Sequence, residues 1–281
     1  MDANFKEQAL EAFNTIRTNL SFLSVDKQIK TIMVTSSIKG EGKSTVSANL
    51  ANTMSTAHTK VLLVDADLRN PTVHRMFGVP NRMGLSDLIM AGKNAEDDYD
   101  CIVKHKRNLD LLTAGHRPPN PTELLSSKRM SRILANLAEH YDYVLLDTPP
   151  ILVVPDAMAL YHNVDGFILV SRHGYTTKEI LTNTKSALEV ANAEPIACIF
   201  NAIPDMHKAY SYYGYYDYTD VDHNGKRRKK KTKRGTAAKD MGDADMPVNM
   251  DFSDREDKDF VDFGEKISAD TPVGRRRVRN D

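Results

Sequence analysis

Six short runs alternate with stretches of helical character between Lys30 and Asn201: TIMVT from Thr31, VLLVD from Val61, LDLLT from Leu109, YVLLD from Tyr143, GFILV from Gly166 and IACIF from Ile196. Most are apolar throughout instead of alternating, and a strand without a polar face must be covered on both sides. That requirement predicts an α/β fold, a mostly parallel sheet with helices on both faces. LDLLT carries the least signal. Ahead of the first run, Leu10, Phe13, Ile16 and Leu20 recur at helical spacing and predict a separate amphipathic helix over Phe5 to Leu20.

Charge says where this core stops. The chain has 281 residues, 41% of them hydrophobic, and balances 38 basic against 38 acidic side chains. After Tyr218 the balance breaks into blocks: KRRKKKTKR at Lys226–Arg234, an acidic stretch from Asp240 to Glu265, then RRRVR at Arg275–Arg279. With few aliphatics between them, these blocks predict a disordered, charged tail. The expected organisation is a folded domain over 1–205, a tyrosine-rich segment over 206–220 and the tail over 221–281. Two cysteines, Cys101 and Cys198, sit in no metal-ligand spacing and are expected to be reduced packing residues. No apolar run approaches the roughly 20 residues of a membrane span, and the N-terminus lacks a signal-peptide pattern, so a cytoplasmic location is expected.

Directly after the first run comes TSSIKGEGKST, Thr35 to Thr45, followed by the helical SANLANTM. Strand, glycine loop and helix in that order turn backbone N–H groups around a phosphate and add the positive end of the helix. Lys43 would reach the β- and γ-phosphates and Ser44 would hold Mg²⁺. Ser37 stands where the usual pattern begins with glycine, so the match is imperfect. The second and fourth runs end in acids, Asp65 and Asp67 in VLLVDADLR and Asp147 in YVLLDTPP. In a parallel sheet those ends share the edge of the phosphate loop. A single such Asp is often a turn or helix cap, but three along one edge suit a metal-bound triphosphate.

GEGKST, the DxDxR of Asp65, Asp67 and Arg69, LLDTPP, PPNPTELL at Pro118–Leu125 and a terminal tyrosine cluster together resemble the bacterial tyrosine kinases over about residues 7 to 218. That resemblance implies a P-loop NTPase fold related to the MinD/ParA ATPases, and ATP and Mg²⁺ as cofactors. It further implies transfer of the ATP γ-phosphate to the chain's own C-terminal tyrosines. Carried over residue by residue, Gly40, Glu41, Gly42, Lys43, Ser44 and Thr45 bind the nucleotide, and Asp67 and Asp147 hold the metal with Ser44. Asp65 is the candidate base. Asn201 meets the adenine or is a turn residue, and Arg69 pairs with a phosphate, a neighbouring subunit or a structural carboxylate. The alternative is a MinD/ParA-like ATPase switch without kinase activity. The extra lysine of that group would fall at Ile38, whereas Lys39 stands one residue later, which favours the kinase.

The acceptors would be Tyr210, Tyr212, Tyr213, Tyr215, Tyr216 and Tyr218, six of the eleven tyrosines of the chain. So dense a cluster, interrupted by Ser211, Gly214 and Asp217, fits no helix face or strand alternation. If the last strand is parallel, Asn201 lies on the catalytic edge, and the 17 residues to Tyr218 span up to ~58 Å at about 3.4 Å each. That reach implies phosphorylation in trans within a homo-oligomer. The family's ExxRxxR ring motif reads Glu11, Asn14, Arg17, without its first arginine. The resemblance also implies a kinase of capsule or exopolysaccharide biosynthesis, encoded separately from a transmembrane adaptor and working at the inner face of the cell membrane. The basic run is a solvated segment or an electrostatic contact with anionic lipid. Nucleic acid is not an expected partner.

Overall fold

The computed structural model describes residues 3–26, 28–56, 58–91 and 99–203. The tyrosine cluster, the charged tail and the boundaries assigned to them lie outside the described residues.

Helix α1 (Ala3–Asp26) leads into β1 (Thr31–Ser36), α2 (Lys43–Met54), β2 (Val61–Asp65), α3 (Val73–Phe77) and α4 (Leu85–Met90). Then follow β3 (Val103–Lys106), β4 (Leu109–Leu112), α5 (Pro121–Leu125), α6 (Lys128–His140), β5 (Tyr143–Asp147), α7 (Asp156–Tyr161), β6 (Gly166–Arg172), α8 (Lys178–Val190) and β7 (Ala197–Asn201). The seven-stranded sheet runs β3-β4-β2-β5-β1-β6-β7, and every pairing is parallel except β3 with β4.

The apolar runs are continuous because successive residues feed two cores. Ile32, Val34, Val61, Leu63, Leu145, Ile168 and Val170 point to the face covered by α1 and α2, where Leu20, Val46 and Leu50 meet them. Met33, Leu62, Val64, Val144, Leu146, Phe167 and Leu169 point the other way, against Leu88 of α4, Leu134 of α6, Leu160 of α7 and Leu188 of α8. This period-two split between helix layers is the expected α/β sandwich. Each fully buried Leu or Ile contributes about 1.5–3 kcal/mol, and Leu63→Ala would cost about 2–5 kcal/mol.

The edges depart from the sequence reading. Strand β3, VKHK, is an additional strand that the apolar runs did not reveal. It has one strongly apolar residue and alternates half-buried with exposed positions, as an edge strand can. At the other edge β7 also alternates: Ala197 and Ile199 turn inward, while Cys198 and Phe200 (52% exposed) face out. Cys198 is exposed among the described residues and is therefore no packing residue, whereas Cys101 packs against the core. Helix α1 extends past Leu20 to Asp26; its packed stripe is Phe13, Ile16 and Leu20, and Leu10 is 42% exposed. Arg17 donates from Nη1 to the Thr53 carbonyl of α2 at 3.3 Å.

Among the described residues, no helix is long and apolar enough to cross a membrane.

Candidate active site

The sheet order brings the acids together. Because β5 lies between β1 and β2, Asp147 pairs in register with Asp65 on one side and Val34 on the other. The carboxyl ends of β2 and β5 thus stand beside the loop leaving β1.

That loop, Ser37 to Gly42, needs two left-handed residues, and glycine supplies both: Gly40 has φ +90° and Gly42 φ +88°. Gly42 is required twice over, since a Cβ there would stand 2.2 Å from Asn201 Nδ2. Ser37 is buried and outside the left-handed region, so the serine costs the loop no backbone strain. Helix α2 starts at Lys43 without a side-chain cap, which leaves its first N–H groups unclaimed by any capping side chain.

Lys43 lies over the acids. Its Nζ stands 3.2 Å from Asp67 Oδ2, 3.4 Å from Asp147 Oδ1 and 3.1 Å from Ser44 Oγ. Each acid spends one side on the fold. Asp65 Oδ2 accepts the N–H groups of Thr72 (3.0 Å) and Val73 (2.9 Å), so it caps α3, while its Oδ1 is buried with no hydrogen-bond partner. Asp67 Oδ1 accepts from Asn70 N–H at 3.0 Å, and Asp147 Oδ1 from Ser47 Oγ at 3.2 Å, with Asp147 Oδ2 again unpartnered. Asp65 thus caps α3 with one oxygen and keeps the other free of hydrogen bonds.

The protonation equilibria follow from this crowding. Burial and the neighbouring Asp147 push Asp65 up to about 8. Burial also raises Asp147, against the opposing pull of Lys43. For Lys43, burial favours the neutral amine, but Asp147 and Asp67 outweigh it and raise its pKa. Three buried acids crowd one ammonium and leave two oxygens unsatisfied, an arrangement that fits a divalent cation. Among the described residues no three His, Cys, Asp or Glu side chains form a ready-made metal cage.

A second group of residues, which the sequence reading did not single out for this task, braces the loop from β6, β7 and the turn after β6. The Glu41 side chain is buried, accepting Ile38 N–H at 2.8 Å and the Thr176 hydroxyl. Arg172 Nη1 donates to the Gly40 carbonyl at 3.0 Å, and the Tyr175 hydroxyl to the Lys39 carbonyl at 3.0 Å. Asn201 Nδ2 donates to the Glu41 carbonyl at 3.0 Å, and its Oδ1 accepts Ala202 N–H at 2.8 Å. Only Glu41 lay within a motif; HGYTT after β6 has no spacing that announces its role. Thr45 follows Ser44 in the first turn of α2, half-buried. Arg69 makes a structural pair: Nε and Nη2 fork onto Asp156 Oδ2 (2.7 Å) and Oδ1 (3.0 Å), and Nη2 also reaches Thr122 Oγ1 at 3.1 Å. A separate hollow lined by Lys30, Ser131, Asn163 and Asp165 lies at the opposite end of β1 and contains none of these groups.

The AAA_31 family model, an AAA domain, matches residues 29–192. Tyrosine-protein kinase YwqD of Bacillus subtilis (strain 168) is 44% identical over 203 residues, covering 72% of this chain and 85% of that protein. Putative tyrosine-protein kinase CapB of Staphylococcus aureus is 38% identical over 210 residues, covering 74% and 90% respectively. Among solved structures, the kinase domain of the Escherichia coli tyrosine kinase ETK superposes with a TM-score of 0.65 at 34% identity, covering 70% of this chain and 76% of that one.

Proposed function

The chain belongs to the bacterial tyrosine-protein kinases of the P-loop AAA_31 family, and from that membership we propose that it phosphorylates itself, moving the ATP γ-phosphate to the tyrosines between Tyr210 and Tyr218. The observation that carries this reading is the meeting of Lys43 with Asp65, Asp67 and Asp147 at the sheet edge where β7 also ends.

Nucleotide binding rests on the backbone of Gly40 to Ser44 and on the uncapped start of α2, with Lys43 and Thr45 beside it. In the family reading Ser44, Asp67 and Asp147 hold Mg²⁺, whose charge neutralises the phosphates. Lys43 is pre-positioned by two carboxylates and transfers its ammonium to the γ-phosphate when the nucleotide arrives. The phenol oxygen then bonds to the γ-phosphorus as the bond to the ADP oxygen breaks. Asp65 has the free Oδ1 that would receive the phenolic proton, and its pKa of about 8 makes ionised acceptor more abundant as pH rises through that value. Since phosphoryl transfer needs little covalent work from protein groups, charge and position dominate. Asn201 supports the phosphate loop directly, in addition to any contact with adenine.

Transfer runs in trans inside a homo-oligomer, with Asn201 as the root of the acceptor segment and 17 residues of reach to Tyr218. Arg17, the last residue of the Glu11, Asn14, Arg17 motif, is bonded to the Thr53 carbonyl of α2. The protein works in the cytoplasm at the membrane, with a transmembrane adaptor and lipid contact through Lys226–Arg234, in capsule or exopolysaccharide production. Phosphosite mapping of a full-length Lys43→Met chain mixed with an active chain whose six cluster tyrosines are Phe tests the core of this. Phosphotyrosine on the Lys43→Met chain is expected. Nucleotide turnover without any phosphotyrosine would support the ATPase switch instead.

A further inference from the structure

Tyr175 stands apart from the other described tyrosines. Tyr141 is buried with its hydroxyl on Asp110, and Tyr99, Tyr143 and Tyr161 are half-buried, whereas Tyr175 is 48% exposed. It lies on the rim of the phosphate loop. Its hydroxyl donates to the Lys39 carbonyl and sits over Gly40 so closely that a Cβ on that glycine would meet it at 3.1 Å. Arg172, whose Nη1 holds the Gly40 carbonyl, has its guanidinium 5.8 Å from the ring centroid. Gly174 precedes it at a left-handed φ of +68°, with nothing within 4 Å of where a Cβ would stand. The same Gly-Tyr order occurs at Gly214–Tyr215 within the acceptor cluster.

We propose that Tyr175 is a further phosphorylation site of this chain, modified by a second copy, and that its modification loosens the phosphate loop and weakens ATP binding. The inference rests on the kinase reading above. The Tyr175 oxygen bonds to the γ-phosphorus of ATP held by the other copy, the bond to the ADP oxygen breaks, and the phenolic proton passes to that copy's base or to water. Three consequences follow at the loop. The ester oxygen can no longer donate to Lys39, so acceptor faces acceptor at that contact. A phosphate cannot occupy the space over Gly40 without displacing it. Two negative charges beside the loop draw the Arg172 guanidinium off the Gly40 carbonyl and oppose an incoming triphosphate. Braces from the turn after β6 thereby become a brake on the site they support.

Trypsin cutting after Arg172 and Lys178 releases His173–Lys178, in which Tyr175 is the only tyrosine. The full-length Lys43→Met chain is incubated with wild-type chain, ATP and Mg²⁺, and both the cluster and this peptide are followed by fragmentation mass spectrometry. Phosphate on Tyr175 of the Lys43→Met chain is expected. The wild-type chain modified at Tyr175 should bind ATP roughly tenfold more weakly than the unmodified chain, measured beside a Tyr175→Phe control carried through the same incubation. A phosphorylated cluster with His173–Lys178 unmodified throughout overturns the inference and leaves the kinase reading intact. Modified Tyr175 with unchanged ATP affinity overturns the regulatory half. Absence of phosphotyrosine anywhere overturns both.

Discussion

Two clusters of opposite charge stand on the same sheet edge and differ in completeness. Around Arg69, one buried carboxylate, Asp156, meets one guanidinium in a two-point fork, and both carboxylate oxygens are used. Around Lys43, two acids share one ammonium, Asp65 stands beside one of them, and two buried oxygens have no hydrogen-bond partner. A satisfied pair contributes to folding and has nothing left to offer a ligand. An oversupplied site costs stability in isolation and keeps acceptor oxygens for a ligand. Bonding alone thus separates acids used up by the fold from acids that keep an oxygen for a ligand, residues that type and position in the sequence leave alike.

The comparison is broken most directly at its cations. Lys43→Met should lower phosphotransfer by about 1000-fold or more, read as phosphotyrosine formed per minute, since it removes the charge aimed at the transferred group. Asp156→Ala should act on the other axis. It leaves Arg69 without its partner and Thr122 without an acceptor, and should lower unfolding stability by about 2 kcal/mol in urea titration, short of the full cost of a broken buried pair because the Arg69 side chain is 37% exposed. Loss of catalysis in Asp156→Ala at unchanged stability would erase the distinction.

The parts of this picture legible in the sequence are those written in local chemistry. The centres of the β1, β2 and β5 runs, Ile32–Val34, Val61–Val64 and Val144–Leu146, are apolar at every position because each strand feeds two cores, so their continuity alone marked them as covered on both faces. Glycines at Gly40 and Gly42 announced the phosphate loop because no other residue takes those backbone angles cheaply. Strand β3 was illegible because an edge strand with one strongly apolar residue leaves no run to find, and Cys198 misled because IACIF reads as core although β7 alternates half-buried with exposed positions among the described residues. The braces from Arg172, Tyr175 and Thr176 were hidden for a different reason: about 130 residues separate them from the loop, and their bonds go mostly to its backbone carbonyls, which have no sequence signature.

Asp147→Asn sharpens the comparison within one residue. An amide retains the oxygen that accepts from Ser47 and removes one of the crowded negative charges, so stability should rise by about 1 kcal/mol while phosphotransfer is lost. A site selected for charge it cannot neutralise alone should respond this way, and lower stability in Asp147→Asn would count against that view.

The smallest effect is expected at Asp87, a second acid on the satisfied side. Its Oδ2 accepts Gly84 N–H (2.9 Å) and His116 N–H (3.2 Å), and its Oδ1 meets His116 Nδ1 at 2.7 Å. Burial alone would raise its pKa, but the His116 ring and the two backbone N–H bonds outweigh burial and hold it below the ordinary carboxylate value. A depressed folded-state pKa means that the unfolded chain binds the proton more tightly. The contribution is therefore fully present above the unfolded value, about 4, and is lost as pH falls through the folded one. Asp87→Asn should cost about 1 kcal/mol or less at pH 7, because the amide keeps one acceptor and His116 is largely exposed. In parallel denaturant titrations from pH 7 down to pH 3, wild type and Asp87→Asn should converge, and a gap that persists at pH 3 would mean that shape, not charge, is what Asp87 supplies to α4.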